Sequence, residues 1–326
     1  MVRIAVIDDY QNLASTLAEW DSLPEGSQVD FYQDHLTDKD ALVERLQPYD
    51  IIQLMRERTE FSAELLDALP NLRMLSGTGG AYYNSIDIPH ATERGILLTR
   101  TGGSAGGSVE ELTWALILGL TKRLREEDRE TREGQWQTSL SPTLAGRTLG
   151  IIGLGRLGKR VAQVGQAFNM KLVAWSPWQT EERASESGAQ LLSREEFFST
   201  SYVISIHIPL TAESRGLVTA ADLAMMQPNA FIINTSRGPI VDEAALVDAL
   251  REGRIGGAGL DVFDEEPLPK DHPFLSLPNT LLTPHIGFVT EEGYQSFYRS
   301  ALANIKAFMA GEPTNAINPE ALEKQG

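Results

Sequence analysis

Three glycines in the run Gly153-Leu154-Gly155-Arg156-Leu157-Gly158 constrain this chain more than any other feature. The run follows the apolar residues 148–152 and opens an amphipathic stretch over 157–168. A strand before it and a helix after it turn a weak six-residue pattern into a dinucleotide-binding fingerprint. Gly153 permits the tight turn, Gly155 lets the backbone approach a pyrophosphate, and Gly158 lets the helix pack on the sheet. The N–H groups of Arg156 and Leu157 open a helix N-terminus, where the dipole favours an anion. The next strand, residues 171–175, ends in Ser176. A Rossmann unit usually carries an acidic residue there for the adenosine ribose. Serine neither bonds the ribose strongly nor repels an extra phosphate, so NAD is the expected cofactor, with NADP also accepted and specificity relaxed.

Short apolar runs alternate with amphipathic segments along most of the 326 residues, the pattern of a doubly wound α/β fold. Strands are expected at 3–7, 51–55, 74–77, 96–99, 148–152, 171–175, 202–206, 231–234, 257–260 and 280–282, with helices at 41–46, 63–69, 157–168 and 243–252. Two stretches read as crossings between domains, Thr101-Gly102-Gly103-Ser104-Ala105-Gly106-Gly107 and Thr283-Pro284-His285-Ile286-Gly287. Glycine frees φ in the first. A helix from Thr290 follows the second. The expected architecture is a Rossmann domain, 102–284, inserted into a substrate domain made of 1–101 and 285–326, both doubly wound parallel sheets. The helix over 109–120 is apolar on nearly every face, so it is buried by its own domain or by the partner in a homodimer.

Composition narrows the partners. A net charge of −17 repels nucleic acid and anionic membranes. No run of eighteen apolar residues is present, and the opening Met1-Val2-Arg3-Ile4-Ala5-Val6-Ile7-Asp8-Asp9 reads as a buried strand rather than a secretory signal. The chain has no cysteine, which excludes disulfides, thiolate metal sites and a thiol nucleophile, and suits a reducing cytoplasm. No metal site is expected. An anionic substrate would need isolated arginines.

Such an arginine ends one strand. Arg237 follows Asn234-Thr235-Ser236, carboxylates from Asp261 to Glu266 end the next strand, and His285 ends the one after. Ligands bind outside the carboxyl ends of strands in open α/β sheets, so these residues are expected to converge. Hydride transfer to a ketone leaves an alkoxide, and His285 can protonate it. Glu266 would favour the imidazolium and orient it. Arg237 can grip a carboxylate bidentately and polarise the adjacent carbonyl.

Residues 148–290 resemble the D-isomer-specific 2-hydroxyacid dehydrogenase family, which includes phosphoglycerate dehydrogenases, glyoxylate/hydroxypyruvate reductases and D-lactate dehydrogenases. The matching stretches are Gly153 to Gly158, His207-Ile208-Pro209-Leu210-Thr211, Asn234 to Gly238, Gly259-Leu260-Asp261-Val262-Phe263, Glu266-Pro267 and Thr283-Pro284-His285. The first hundred residues match more loosely, through Asn84-Ser85-Ile86-Asp87 and Glu93-Arg94-Gly95-Ile96. The resemblance implies a flavodoxin-like substrate domain and a small anionic 2-keto or D-2-hydroxy acid as substrate. It assigns acid/base chemistry to His285, its partner to Glu266 and substrate binding to Arg237. Asp261 would contact the nicotinamide carboxamide, and His207, Pro209, Thr235 and Gly287 would line the cofactor. A backbone loop, Ser76-Gly77-Thr78-Gly79-Gly80-Ala81-Tyr82-Tyr83, would hold the substrate carboxylate, with Thr78 and Gly79 in it. Arg56 or Arg58 would meet a second acidic group, unless they pair with Glu57 or Glu60.

His35, His90 and His272 sit among polar residues and are expected at the surface. The charge run over 122–133 is read as a solvated helix face, with a projecting dimer arm as the alternative. Two other functions share this fold. A formate dehydrogenase has a neutral glutamine where Glu266 stands, because oxidising formate exchanges no proton. A cofactor-sensing corepressor can keep the whole constellation but would not turn over 2-keto acids.

Overall fold

The computed structural model describes residues 1–79, 85–102 and 107–324. The chain forms two compact units, Met1–Gly106 with Thr290–Gly326, and Gly107–Val289. The divisions fall five residues beyond those expected at 101/102 and 284/285, so His285 and Gly287 belong to the second unit.

In the first unit come β1 (Arg3–Val6), α1 (Ala14–Leu17), β2 (Gln28–Phe31), α2 (Lys39–Leu46), β3 (Ile51–Leu54), α3 (Ala63–Asp67), β4 (Met74–Gly77), α4 (Ile88–Glu93) and β5 (Leu97–Thr99). The sheet order is β2-β1-β3-β4-β5, all parallel. This is the flavodoxin-like order expected. β3, β4 and β5 are buried along their whole length, as parallel strands covered on both faces are.

The second unit holds α5 (Ser108–Thr121), α6 (Leu124–Arg132), β6 (Thr148–Ile152), α7 (Arg156–Ala167), β7 (Lys171–Trp175), α8 (Glu181–Ser185), β8 (Gln190–Leu191), α9 (Arg194–Thr200), β9 (Val203–Ile206), α10 (Ala220–Met225), β10 (Phe231–Asn234), α11 (Glu243–Arg251), β11 (Gly257–Leu260) and β12 (Thr280–Leu282). The parallel sheet runs β12-β11-β10-β9-β6-β7-β8, with its reversal of order between β6 and β9. Side chains alternate faces along each strand. Ile152, Ile204, Ile206 and Ile232 enter one core, while Leu149, Ile151, Val203 and Ile233 enter the other. α12 (Glu291–Met309) then returns to the first unit, with the Thr290 hydroxyl accepting from the Gly293 N–H to start it.

Burial of α5 comes from its own unit. Leu116 and Ile117 lie in the second core, and a Cβ on Gly119 would come within 2.5 Å of Leu281. β2 and β8 were not expected from the sequence. Both are edge strands with one neighbour, so Gln28, Asp30 and Gln190 can face water and no apolar run marks them.

Candidate active site

The register of the second sheet places the site. Ile152 pairs with Ile206, Ile206 with Asn234, Asn234 with Leu260, and Leu260 with Leu282. Five strands therefore end in one row, and the residues just past that row are Gly153, His207, Thr235, Asp261 and Thr283. A one-residue slip in any pairing would turn that strand's polar group to the other face.

At β6 the glycines are shaped as the fingerprint requires. Gly153 has φ +95°, and a Cβ there would lie 2.8 Å from the His207 carbonyl oxygen. A Cβ on Gly158 would lie 2.1 Å from the Gly153 carbonyl oxygen. At Gly155 a Cβ would meet nothing within 4 Å. No side chain caps α7, which leaves its first N–H groups available to an anion. Gly153, Gly155, Arg156, Ser176, His207 and Pro209 line one cavity of about 730 Å³. These features fit a dinucleotide pyrophosphate. His207 Nε2 lies 2.8 Å from Ser205 Oγ, and burial pushes its pKa down to about 4, so the ring is neutral at pH 7. Leu157 and Gly158 are not part of its lining.

Farther along the row, Thr235 Oγ1 lies 2.9 Å from Thr113 Oγ1 of α5. Asp261 is buried and holds the following turn by both carboxylate oxygens. Oδ1 accepts from Thr283 Oγ1 (2.6 Å) and the Ile286 N–H (2.8 Å), and Oδ2 from the Gly287 N–H (2.9 Å). Burial pushes the Asp261 carboxyl up despite these bonds. The turn carries His285 at φ +52°, a left-handed conformation that costs roughly 1–3 kcal/mol in a non-glycine residue. The Asp261 bonds are what hold it there. Asp261 thus faces the backbone of the turn, a use the sequence did not reveal.

The His285 ring stands edge-on to Phe288 with centroids 5.4 Å apart. Its Nδ1 lies 2.6 Å from Glu266 Oε2, and Glu266 Oε1 accepts from the Phe263 N–H at 2.9 Å. Burial pushes the Glu266 carboxyl up, but the His285 hydrogen bond and charge, the Phe263 N–H and the Arg237 charge outweigh it. The carboxyl is held below its usual range. Arg237 is half-buried and donates from Nη1 to the Ser236 carbonyl at 2.7 Å. Gly238 brings this segment against the Glu266 loop, since a Cβ on it would lie 2.1 Å from the Phe263 carbonyl carbon. Asn234 braces the arginine from below. Its Nδ2 donates to the Arg237 carbonyl (2.9 Å) and its Oδ1 accepts from the Ser236 N–H (3.0 Å). The sequence shows Asn234 only as a polar residue closing an apolar strand; its bracing role needed the loop's path.

Within the first unit, three residues expected at the substrate come together. Thr78 Oγ1 donates to the Leu54 carbonyl (3.0 Å) and accepts from the Arg56 N–H (2.9 Å). The Gly79 N–H donates to Thr101 Oγ1 (2.8 Å). Gly79 has φ +92°, and a Cβ there would lie 2.6 Å from Arg56 Nη1, so the guanidinium rests on the glycine. Residues 80–83 of the expected loop lie outside the described residues. Arg58 instead donates to the Asp8 carbonyl (2.6 Å) and to Tyr294 OH (3.1 Å), and stacks 4.2 Å from the Tyr10 centroid.

The three histidines expected at the surface are each half-buried and paired. His35 meets Asp8 at 2.9 Å, His90 meets Asp67 at 2.9 Å and His272 meets Glu243 at 3.0 Å. Polar neighbours in the sequence did not mean exposure, because each partner lies more than twenty residues away. In α6 no described residue is buried, in keeping with a solvated face. Among the described residues no helix is long and apolar enough to cross a membrane.

Comparison with known proteins identifies the family. Residues 114–287 match the family described as D-isomer specific 2-hydroxyacid dehydrogenase, NAD binding domain. The glyoxylate reductase of Aeropyrum pernix is 40% identical over 270 residues, 80% of each chain. That of Korarchaeum cryptofilum is 34% identical over 310 residues, 92% of each. The crystal structure of phosphoglycerate oxidoreductase from Vibrio cholerae O395 superposes with a TM-score of 0.89 at 36% identity, covering 95% of this chain and 100% of that one. The chain is an NAD-binding oxidoreductase and belongs to the D-isomer-specific 2-hydroxyacid dehydrogenase family.

Proposed function

We propose that this enzyme interconverts a small 2-keto acid and its D-2-hydroxy acid, with His285 as the acid/base, Glu266 as its partner and Arg237 as the carboxylate anchor. The observation that carries this reading is the 2.6 Å pair between His285 and Glu266, with Arg237 close enough to lower the Glu266 carboxyl. A bound dihydronicotinamide supplies the hydride. His285 gives its proton to the alkoxide oxygen formed at C2, and Glu266 stabilises the imidazolium beforehand. Arg237 grips the substrate carboxylate and draws charge from the adjacent carbonyl. His207, whose pKa is lowered to about 4, is neutral and adds no cation to compete for that carboxylate. Asp261 keeps the His285 turn in place. Gly153, Gly155, Arg156, Leu157, Gly158, Ser176, Pro209, Thr235 and Gly287 are assigned to the coenzyme, and Thr78, Gly79 and Arg56 to the substrate. The glyoxylate reductases among its relatives make glyoxylate and hydroxypyruvate the first substrates to test. The working form is a homodimer, supported by Trp136 at 78% and Leu140 at 99% exposure on one segment after α6.

The test is a panel of 2-keto acids with reduced coenzyme, run on the native protein and on His285→Ala. Turnover of one keto acid that is lost in the variant, while coenzyme still binds, supports the reading. Coenzyme binding with no turnover across the panel would mark a sensing module instead.

A further inference from the structure

Glu266 sits in the connection between β11 and β12, which has no regular element before Pro273. A carboxylate that must hold a histidine in place needs a fixed base of its own. That base comes from the start of α11. Asp242 caps this helix, its Oδ1 accepting from the Ala245 N–H at 3.0 Å, so the helix makes no demand on the Glu243 carboxylate. Glu243 reaches across to the loop instead. Its Oε2 accepts from the Asp264 N–H at 3.1 Å, and its Oε1 lies 3.0 Å from His272 Nε2. His272 Nδ1 accepts from the Phe274 N–H at 3.3 Å, so the ring proton is on Nε2 and is donated to Glu243. One carboxylate therefore ties both ends of the stretch 264–272 to α11.

The tie sits one residue from Glu266's own support. The Phe263 N–H donates to Glu266 Oε1, and the next amide, that of Asp264, donates to Glu243. Gly238 presses on the same point, since a Cβ there would lie 2.6 Å from the Asp264 nitrogen. An ordinary surface ion pair joins two side chains; this carboxylate also takes a backbone N–H beside the one Glu266 uses. The Glu243 and His272 side chains are 20% and 15% exposed, so the pair is partly shielded from water. The contact also holds against like charge. Partial burial and the Glu243 charge push the Asp264 carboxyl up to about 6, with Asp242 adding to the shift and Arg215 and His272 opposing it. Repulsion between Asp264 and Glu243 would drive the loop off α11, and the two hydrogen bonds keep it there.

We propose that Glu243 and His272 are positioning residues for Glu266, latching the 264–272 loop to α11 so that the Glu266 carboxylate stays on His285 Nδ1. The inference rests on the reading of His285 and Glu266 as an acid/base pair. It extends that reading to two residues outside the pair. The latch also joins the loop to the substrate anchor, since Arg237 and Glu243 belong to one short stretch, 237–243, in which Val241 pairs with Val218.

The experiment compares Glu243→Ala, His272→Asn and Asp264→Asn with Glu266→Gln in the full-length protein. Reduction of the 2-keto acid that is turned over best is followed across pH, with coenzyme titration and thermal unfolding alongside. Asparagine at 272 can still accept from the Phe274 N–H, is too short to reach Glu243, and removes no carboxylate. Glu243→Ala and His272→Asn should each lower kcat about tenfold or more, the cost of a loosened reacting geometry. Both should move the pH–rate profile to lower pH, as Glu266→Gln does, with coenzyme affinity unchanged. Asp264→Asn removes a carboxylate but keeps the latched amide, so its kcat and profile should stay native. Adding His272→Asn to Glu266→Gln should change little further, because the loop then has no charge left to position. His272→Asn, the milder change, decides the matter if Glu243→Ala does not fold. A lower melting temperature with native kcat and an unmoved profile would make the latch merely structural and overturn the inference. So would a shift in Asp264→Asn as large as that in Glu243→Ala, since charge rather than loop position would then be acting. If Glu266→Gln itself leaves the profile unmoved, the acid/base reading fails first and the inference falls with it.

Discussion

His285 Nδ1 and Glu266 Oε2 lie 2.6 Å apart, and the other Glu266 oxygen is fixed by the Phe263 N–H. The carboxylate cannot swing away from the ring without breaking a backbone bond. This relationship predicts two separable mutant behaviours. His285→Ala should lose about 10²–10⁴-fold in kcat, the range supplied by a positioned acid, while coenzyme affinity is retained. Glu266→Gln removes the counter-charge that favours the imidazolium, so the pH–rate profile for reduction should move to lower pH. An unmoved profile in Glu266→Gln would refute the pairing.

Arg237→Lys keeps the charge but loses the planar fork. The loss in kcat/KM should be about 10²-fold, the size of a charged hydrogen bond made only to bound substrate. Near-native kcat/KM in the lysine variant would show that Arg237 does not anchor the carboxylate.

Asp261→Asn replaces an acceptor with an NH₂ group that faces N–H donors in the His285 turn. The variant should lose about 2–4 kcal/mol of stability, through groups left buried without partners. It should also lose kcat, because the left-handed backbone at His285 is no longer held. Denaturant unfolding and steady-state kinetics together check this. An effect on stability alone would mean that the turn holds His285 without Asp261.

Two glycines of the same motif should fail differently. Gly158→Ala forces a Cβ to 2.1 Å from the Gly153 carbonyl oxygen and should destabilise the protein whether or not coenzyme is present. Gly155→Ala meets no protein atom within 4 Å, so it should fold normally yet bind coenzyme more weakly. Thermal unfolding paired with coenzyme titration separates the two cases.

Burial depresses the His207 pKa from 6.5 to about 4. Between those values the unfolded chain binds more protons than the folded one. The contribution of neutral His207 to stability is therefore complete above pH 6.5 and is lost as pH falls through about 4. At most it amounts to about 3 kcal/mol. His207→Gln should flatten this part of the stability profile, read as the difference between variant and native unfolding free energies from pH 7.5 down to pH 4.5. A constant difference would mean that His207 does not titrate with unfolding.

The alternation of apolar runs and the glycine turn made the doubly wound fold legible, because parallel strands buried on both faces must be apolar throughout. His285, Glu266, Arg237 and Asp261 were legible as polar residues at the ends of such strands. β2 and β8 were not, since an edge strand can carry Gln28, Asp30 or Gln190 and still pair. His35, His90 and His272 were misplaced because their carboxylate partners are distant in the chain.

The sequence by itself therefore determined which residue types stand at the strand ends and what chemistry they can do. Only the tertiary structure decided how they are used. The row from Ile152 to Leu282 is set by inter-strand register, a sum of backbone hydrogen bonds that no local pattern records. That register turned Asp261 toward the backbone of the His285 turn. In each case the deciding contact joins residues whose spacing in the chain carries no periodic signal, so packing had to fix it.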